Sequence, residues 1–245
     1  MQSSSNPALS DKALKRLQVG EGTDVMTVKG SIAKTGYALA VLLVAAVVGW
    51  SILPQITAGA VPGWLLITLL IATPIIGIIT AFKANPVLVT IYAILEGLLI
   101  GVISRMFETA YDGIVLQAIL LTIATTLGML FLFVNESVRV TQKARSVIMI
   151  ATVGVLIYFV FELLMGLFNP SFFSILTTGP LGIVIAAVIV LIAALNLLLD
   201  FDFITRGVAH KLAKKTEWYA AFGLMVTLVW LYISILRLLG ASRRG

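Results

Sequence analysis

No cysteine occurs in the 245 residues, and histidine occurs once. The first absence removes disulfide frameworks, thiolate metal sites and cysteine nucleophiles, and leaves the redox compartment open. The second denies any zinc constellation its usual imidazole ligands, since His210 stands alone in a basic loop and reads as a solvated side chain. Charge is scarce too: 11% of residues are Asp, Glu, Lys or Arg, against about 25% in a soluble domain. Phosphate loops, His-Glu-x-x-His zinc motifs and Gly-x-Ser-x-Gly nucleophile elbows are missing. Tyr111-Asp112 lacks a Gly-x-Gly-Asp partner for intramembrane proteolysis. A retinal Schiff base would need a lysine in the last apolar run, which has none. The expectation is a protein that is not an enzyme and carries no cofactor.

What is abundant is apolar length. Hydrophobic residues make up 60% of the chain, and the mean hydropathy is +1.09. After a polar leader, 1–34, seven apolar stretches follow at about 35–53, 64–82, 87–107, 113–134, 147–168, 181–199 and 218–239. Each has the roughly 20 residues that a helix needs to cross the hydrocarbon core. None alternates with period two, as the strands of an outer-membrane barrel do. The fold class is therefore all-α: one membrane domain of seven transmembrane helices over 35–240, with a short basic tail at 241–245. The leader lacks the apolar core of a cleavable signal peptide.

The net charge of +6 comes from 17 basic and 11 acidic residues. In a soluble protein it would raise nucleic acid as a partner, but here topology explains it. Thirteen of the basic residues fall in the leader and in the second-to-third, fourth-to-fifth and sixth-to-seventh connections. Arg105, Arg237, Arg243 and Arg244 fall on the other side. The excess of basic residues marks the cytoplasmic face, which predicts the amino terminus inside and the carboxyl terminus outside. The bilayer is the first partner; oligomeric state is not encoded.

Ionisable groups inside a membrane are costly and mark function by default. At about 1.5 Å rise per residue, Glu96 lies near the midplane of the third span and Glu162 in the outer part of the fifth. Asp200 and Asp202 are expected to end the sixth at its inner edge, completing a carboxylate ladder. Residues four apart share a helix face, so Tyr92 lines up with Glu96, Tyr158 with Glu162, and Asn196 with Asp200. Gly97 and Gly101 form a pattern that admits a second helix closely. A midspan glutamate can equally stay protonated and hydrogen-bond a neighbouring helix. For Asp202 plain solvation is the simpler reading.

Three stretches carry a resemblance. Tyr92-Ala-Ile-Leu-Glu-Gly-Leu-Leu-Ile-Gly-Val-Ile-Ser104, Asp200-Phe-Asp-Phe-Ile204 and the final run from Tyr219 to Arg237 resemble, in order and spacing, the third, sixth and seventh spans of the Bax inhibitor-1/YccA family, in its bacterial branch. The resemblance implies a seven-helix fold with a central last helix and a pH-sensitive calcium leak. In the family, two aspartates on the sixth and seventh spans share a proton, because like charges at close range ionise together only at a cost. Asp200 matches the first. Thr227 stands where the second would be, so that dyad cannot form here and the family's gating does not carry over unchanged.

The expectation is thus a pH-influenced leak for calcium or protons, with calcium as cargo rather than cofactor. Its waypoints are Glu96, Glu162 and Asp200, with neutral oxygens from Thr227, Asn196 and Tyr92, and Lys83 is placed to latch onto Asp200. The resemblance also implies an alternative: a non-transporting regulator of a membrane-bound quality-control protease, with the leader as its handle. A stress-tolerance protein without transport is the third reading. The host membrane is expected to be a bacterial cytoplasmic membrane.

Overall fold

The computed structural model describes residues 24–60, 62–135, 140–168 and 179–244. Lys12, Lys15 and Arg16 of the leader, Arg139 and residues 169–178 lie outside the described residues. Among those described there are seven helices: α1 (Val28–Thr57), α2 (Trp64–Phe82), α3 (Pro86–Ala110), α4 (Ile114–Val134), α5 (Gln142–Phe168), α6 (Gly179–Ala209) and α7 (Thr216–Arg244). All seven contain a stretch long and apolar enough to cross a membrane. The protein is an all-α integral membrane protein. The largest buried shares belong to α3 and α7, 50% and 44% of their most apolar stretches.

Several boundaries differ from the sequence expectation. The first helix starts at Val28, inside the expected leader, because the Thr27 hydroxyl caps it by accepting from the Gly30 N–H. It also runs through Pro54, which removes one backbone donor from the helix. Most consequentially, Asp200 and Asp202 do not end the sixth helix, which continues to Ala209. Phe201 and Ile204 carry its buried face onward, and Asp202 pairs with Arg206 one turn later, Oδ2 to Nε 2.9 Å. An i,i+4 pair of opposite charges is compatible with a continuing helix. The helix then closes with Lys211 at φ 50°. The Lys211 N–H donates to the Val208 carbonyl and the Leu212 N–H to the Gly207 carbonyl, both at 3.0 Å. This C-terminal cap normally uses glycine; lysine there costs about 1 kcal/mol.

The described chain falls into two compact units. The first comprises residues up to Val102 together with Asp202–Met225. In it α1 packs against α3 through glycines: a Cβ at Gly97 would overlap the Leu42 carbonyl, and one at Gly101 the Ala46 carbonyl. The small-residue pattern read from the sequence thus brings two backbones together. The segment before α1 is also anchored here. Val25 forms an antiparallel bridge with Ala213, the Met26 N–H donates to the Leu212 carbonyl at 2.7 Å, and the Lys214 N–H to the Asp24 carbonyl at 2.9 Å. The Met26 side chain is buried with Ile204, Leu212 and Ala220.

The second unit comprises Ile103–Phe201 and Val226 onward. Glu108 near the end of α3 accepts from the Gly113 and Val115 N–H groups, at 2.8 and 3.0 Å, and so satisfies the start of α4. The Ser104 and Tyr232 hydroxyls bond at 2.7 Å. The Arg243 guanidinium donates to the Asp112 carbonyl and to the Gln117 side chain.

Candidate functional site

Asp200 and Thr227 meet in the second unit. Asp200 projects from α6 and Thr227 from α7, and the threonine hydroxyl donates to the aspartate carboxylate. Thr227 is buried. The other carboxylate oxygen, Oδ2, is buried and has no hydrogen-bond partner among the described residues. A buried carboxylate oxygen left unpaired is expensive, so the position calls for a proton, a cation or a water. One turn before it, the Asn196 amide donates to the Thr152 hydroxyl on α5 and to the Ile192 carbonyl, each at 2.8 Å. Asn196 thereby ties α6 to α5 beside the aspartate.

Glu162, also in the second unit, has a different environment. It is buried and forms an ion pair with the Arg237 guanidinium of α7. The Phe159 ring lies under that guanidinium, 5.2 Å from its centroid. A small cavity of about 30 Å³ opens beside the pair, lined in part by Tyr158, Ser234 and Arg237, large enough for a water molecule. Sequence reasoning counted Arg237 as a topological charge and missed it as a partner. The signal was present: an arginine inside the last apolar run has to find an anion or reach water. As a result Glu162 is not a lone negative step but half of a neutral pair.

Glu96 belongs to the first unit. Its carboxylate accepts from the Tyr92 hydroxyl one turn earlier on the same helix, so the i,i+4 alignment is realised within α3. Tyr92 packs edge-on against Phe222, with centroids 5.1 Å apart, and both Tyr92 and Glu96 are buried. Asp202, in the same unit, is partly exposed and paired with Arg206. Lys83 is the C-cap of α2, its backbone N–H donating to Ile79 and Thr80 carbonyls, and it is exposed; the aspartate it was expected to latch belongs to the other unit.

Among the described residues no cluster of three or more His, Cys, Asp or Glu could hold a metal ion. A search of curated proteins finds no match. The family comparison is positive over nearly the whole chain: residues 6–244 match the family described as Bax inhibitor 1 like. The Asp200–Thr227 contact pairs the two positions where that resemblance was read on α6 and α7, and with a match of this extent the chain belongs to the Bax inhibitor 1 like family.

Proposed function

We propose that this chain is a pH-influenced cation leak of the Bax inhibitor-1/YccA type, passing calcium or protons, in a bacterial cytoplasmic membrane with its amino terminus inside. The observation that carries the reading is the unpartnered, buried Oδ2 of Asp200. A buried carboxylate with one oxygen held by Thr227 and the other open is a site that a proton or a cation would stabilise. Thr227 supplies a neutral oxygen where the family resemblance puts a second carboxylate. The site consequently holds at most one negative charge where a fully ionised dyad would hold two, and a weaker hold on a divalent cation follows. Glu96, hydrogen-bonded to Tyr92, is the second waypoint. Glu162 is neutralised by Arg237 and contributes little attraction.

The test is calcium entry into dye-loaded liposomes holding the purified protein, with pH stepped from about 8 to about 5 across the range where carboxylates and their perturbed forms titrate. Wild type should exceed empty liposomes, and Asp200→Asn should lower the flux and flatten its pH profile. Flux equal to that of empty liposomes at every pH removes the reading.

A second reading, a regulator that engages a membrane-bound protease through its leader, is favoured by one observation: the leader's end is fixed to the α6–α7 connection by the Val25–Ala213 bridge. Because Met26 and Thr27 are part of the fold, the informative deletion is 1–23 and not 1–27. Protease capture lost on that deletion, with the helices intact, supports this reading; unchanged capture opposes it.

A further inference from the structure

We propose that exposed lysines on the chain segments joined at Trp218 and Tyr219 form a binding surface for the headgroups of anionic phospholipids, at the membrane face where α1 begins. The five are Lys29, Lys83, Lys211, Lys214 and Lys215, all exposed and all in the first unit. They come from three separate parts of the chain, and hydrogen bonds hold those parts together. The Tyr219 hydroxyl donates to the Ala81 carbonyl, two residues before Lys83. The Lys34 ammonium donates to the Lys214 carbonyl at 3.4 Å and lies over the Trp218 ring at 5.2 Å, five residues after Lys29. The Lys214 N–H donates to the Asp24 carbonyl, which fixes the connection bearing Lys211, Lys214 and Lys215.

The charge is not cancelled locally. Of the carboxylates described in this unit, Glu217 is taken by Lys34 and Asp202 by Arg206. Glu96 is buried with Tyr92, which leaves Asp24 as the exposed one. None of the five lysines makes an ion pair with a described carboxylate.

The apolar surroundings select a lipid over a soluble polyanion. Two of the cations sit beside exposed hydrophobes: Phe82, 83% exposed, precedes Lys83, while Val28 and Ile32 flank Lys29. Tyr219 and Tyr37 are themselves exposed aromatics at this level, and Tyr37 packs edge-on to Trp218, centroids 5.9 Å apart. Aromatic rings of this kind sit at headgroup level. Lys214 and Lys215 lie in the turn that precedes α7, four and three positions before Trp218. The inference is independent of the leak reading.

The full-length protein in detergent, titrated with short-chain phosphatidylglycerol or phosphatidylcholine and read by native mass spectrometry, tests it. Wild type should retain phosphatidylglycerol in preference. Lys214→Gln/Lys215→Gln and Lys29→Gln/Lys83→Gln should each weaken that retention about thirty-fold, from the strength of single basic residues at an anionic surface. Lys143→Gln/Arg243→Gln removes the same charge elsewhere and should change it less than about twofold. Soluble glycerol phosphate should not compete, since it lacks the acyl chains. Equal loss in the control pair, no preference in wild type, or competition by glycerol phosphate would overturn the proposal.

Discussion

The Lys34 ammonium lies 2.6 Å from Glu217 Oε2, joining the second turn of α1 to the first turn of α7. The same carboxylate accepts from the Thr27 N–H at 2.9 Å and from the Thr27 hydroxyl at 3.0 Å. Gly30 leaves the room for it, since any Cβ there would overlap the Glu217 side chain. One buried carboxylate therefore caps the start of one helix while sitting in the first turn of another, where negative charge also suits the helix dipole.

Glu217→Ala is expected to destabilise the protein by about 3 kcal/mol, because three donors lose their acceptor and Lys34 is left partly buried without its anion. Glu217→Gln keeps one acceptor oxygen for the Thr27 donors but not the charge and should cost less. Thermal unfolding of the detergent-solubilised protein, comparing both with wild type, checks the order. Equal stability of all three would contradict the role of the contact.

Arg237→Met should be destabilising by roughly 3–5 kcal/mol, since it strands a buried Glu162 carboxylate. Glu162→Gln/Arg237→Met should recover most of that loss, because neither charge is then buried alone. If Glu162 is neutral in effect, the double variant also keeps the cation flux of wild type. A double variant as unstable as Arg237→Met would mean that the arginine acts through other contacts.

Gly101→Ala should cost about 2 kcal/mol or more, as the added methyl meets the Ala46 carbonyl and the Trp50 backbone nitrogen in a contact too close for either backbone to yield cheaply. Gly128→Ala, which meets open space, should be neutral or stabilising by up to about 1 kcal/mol from helix propensity. The comparison is again by thermal unfolding. A cost at Gly128 equal to that at Gly101 would show that close approach is not the cause.

Much of the fold was legible because a membrane span is mostly a matter of apolar length. The second helix, Trp64–Phe82, begins and ends where the apolar run does. The sixth was cut short at its first carboxylate, since an apolar-run criterion cannot see that Asp202 and Arg206 compensate each other along the helix. The start of α1 was hidden for a similar reason: its first turns are polar, and their stability comes from Glu217, about 190 residues away in sequence. At the candidate site, Asp200 and Thr227 could be paired from a resemblance. The Glu162–Arg237 pair could not be read by spacing, because its members lie on different helices and each was assigned a separate role.

Calcium flux in liposomes with Asp200→Asn and Thr227→Asp compared against wild type is the most direct measurement. With Asp200 as the charged waypoint and Thr227 as the neutral replacement for a second carboxylate, wild type should leak modestly, Asp200→Asn should reduce the leak several-fold, and Thr227→Asp should raise it and steepen its pH dependence, because two adjacent carboxylates would then share a proton. Wild-type flux that neither substitution alters would contradict the assignment of Asp200 and Thr227 to the path.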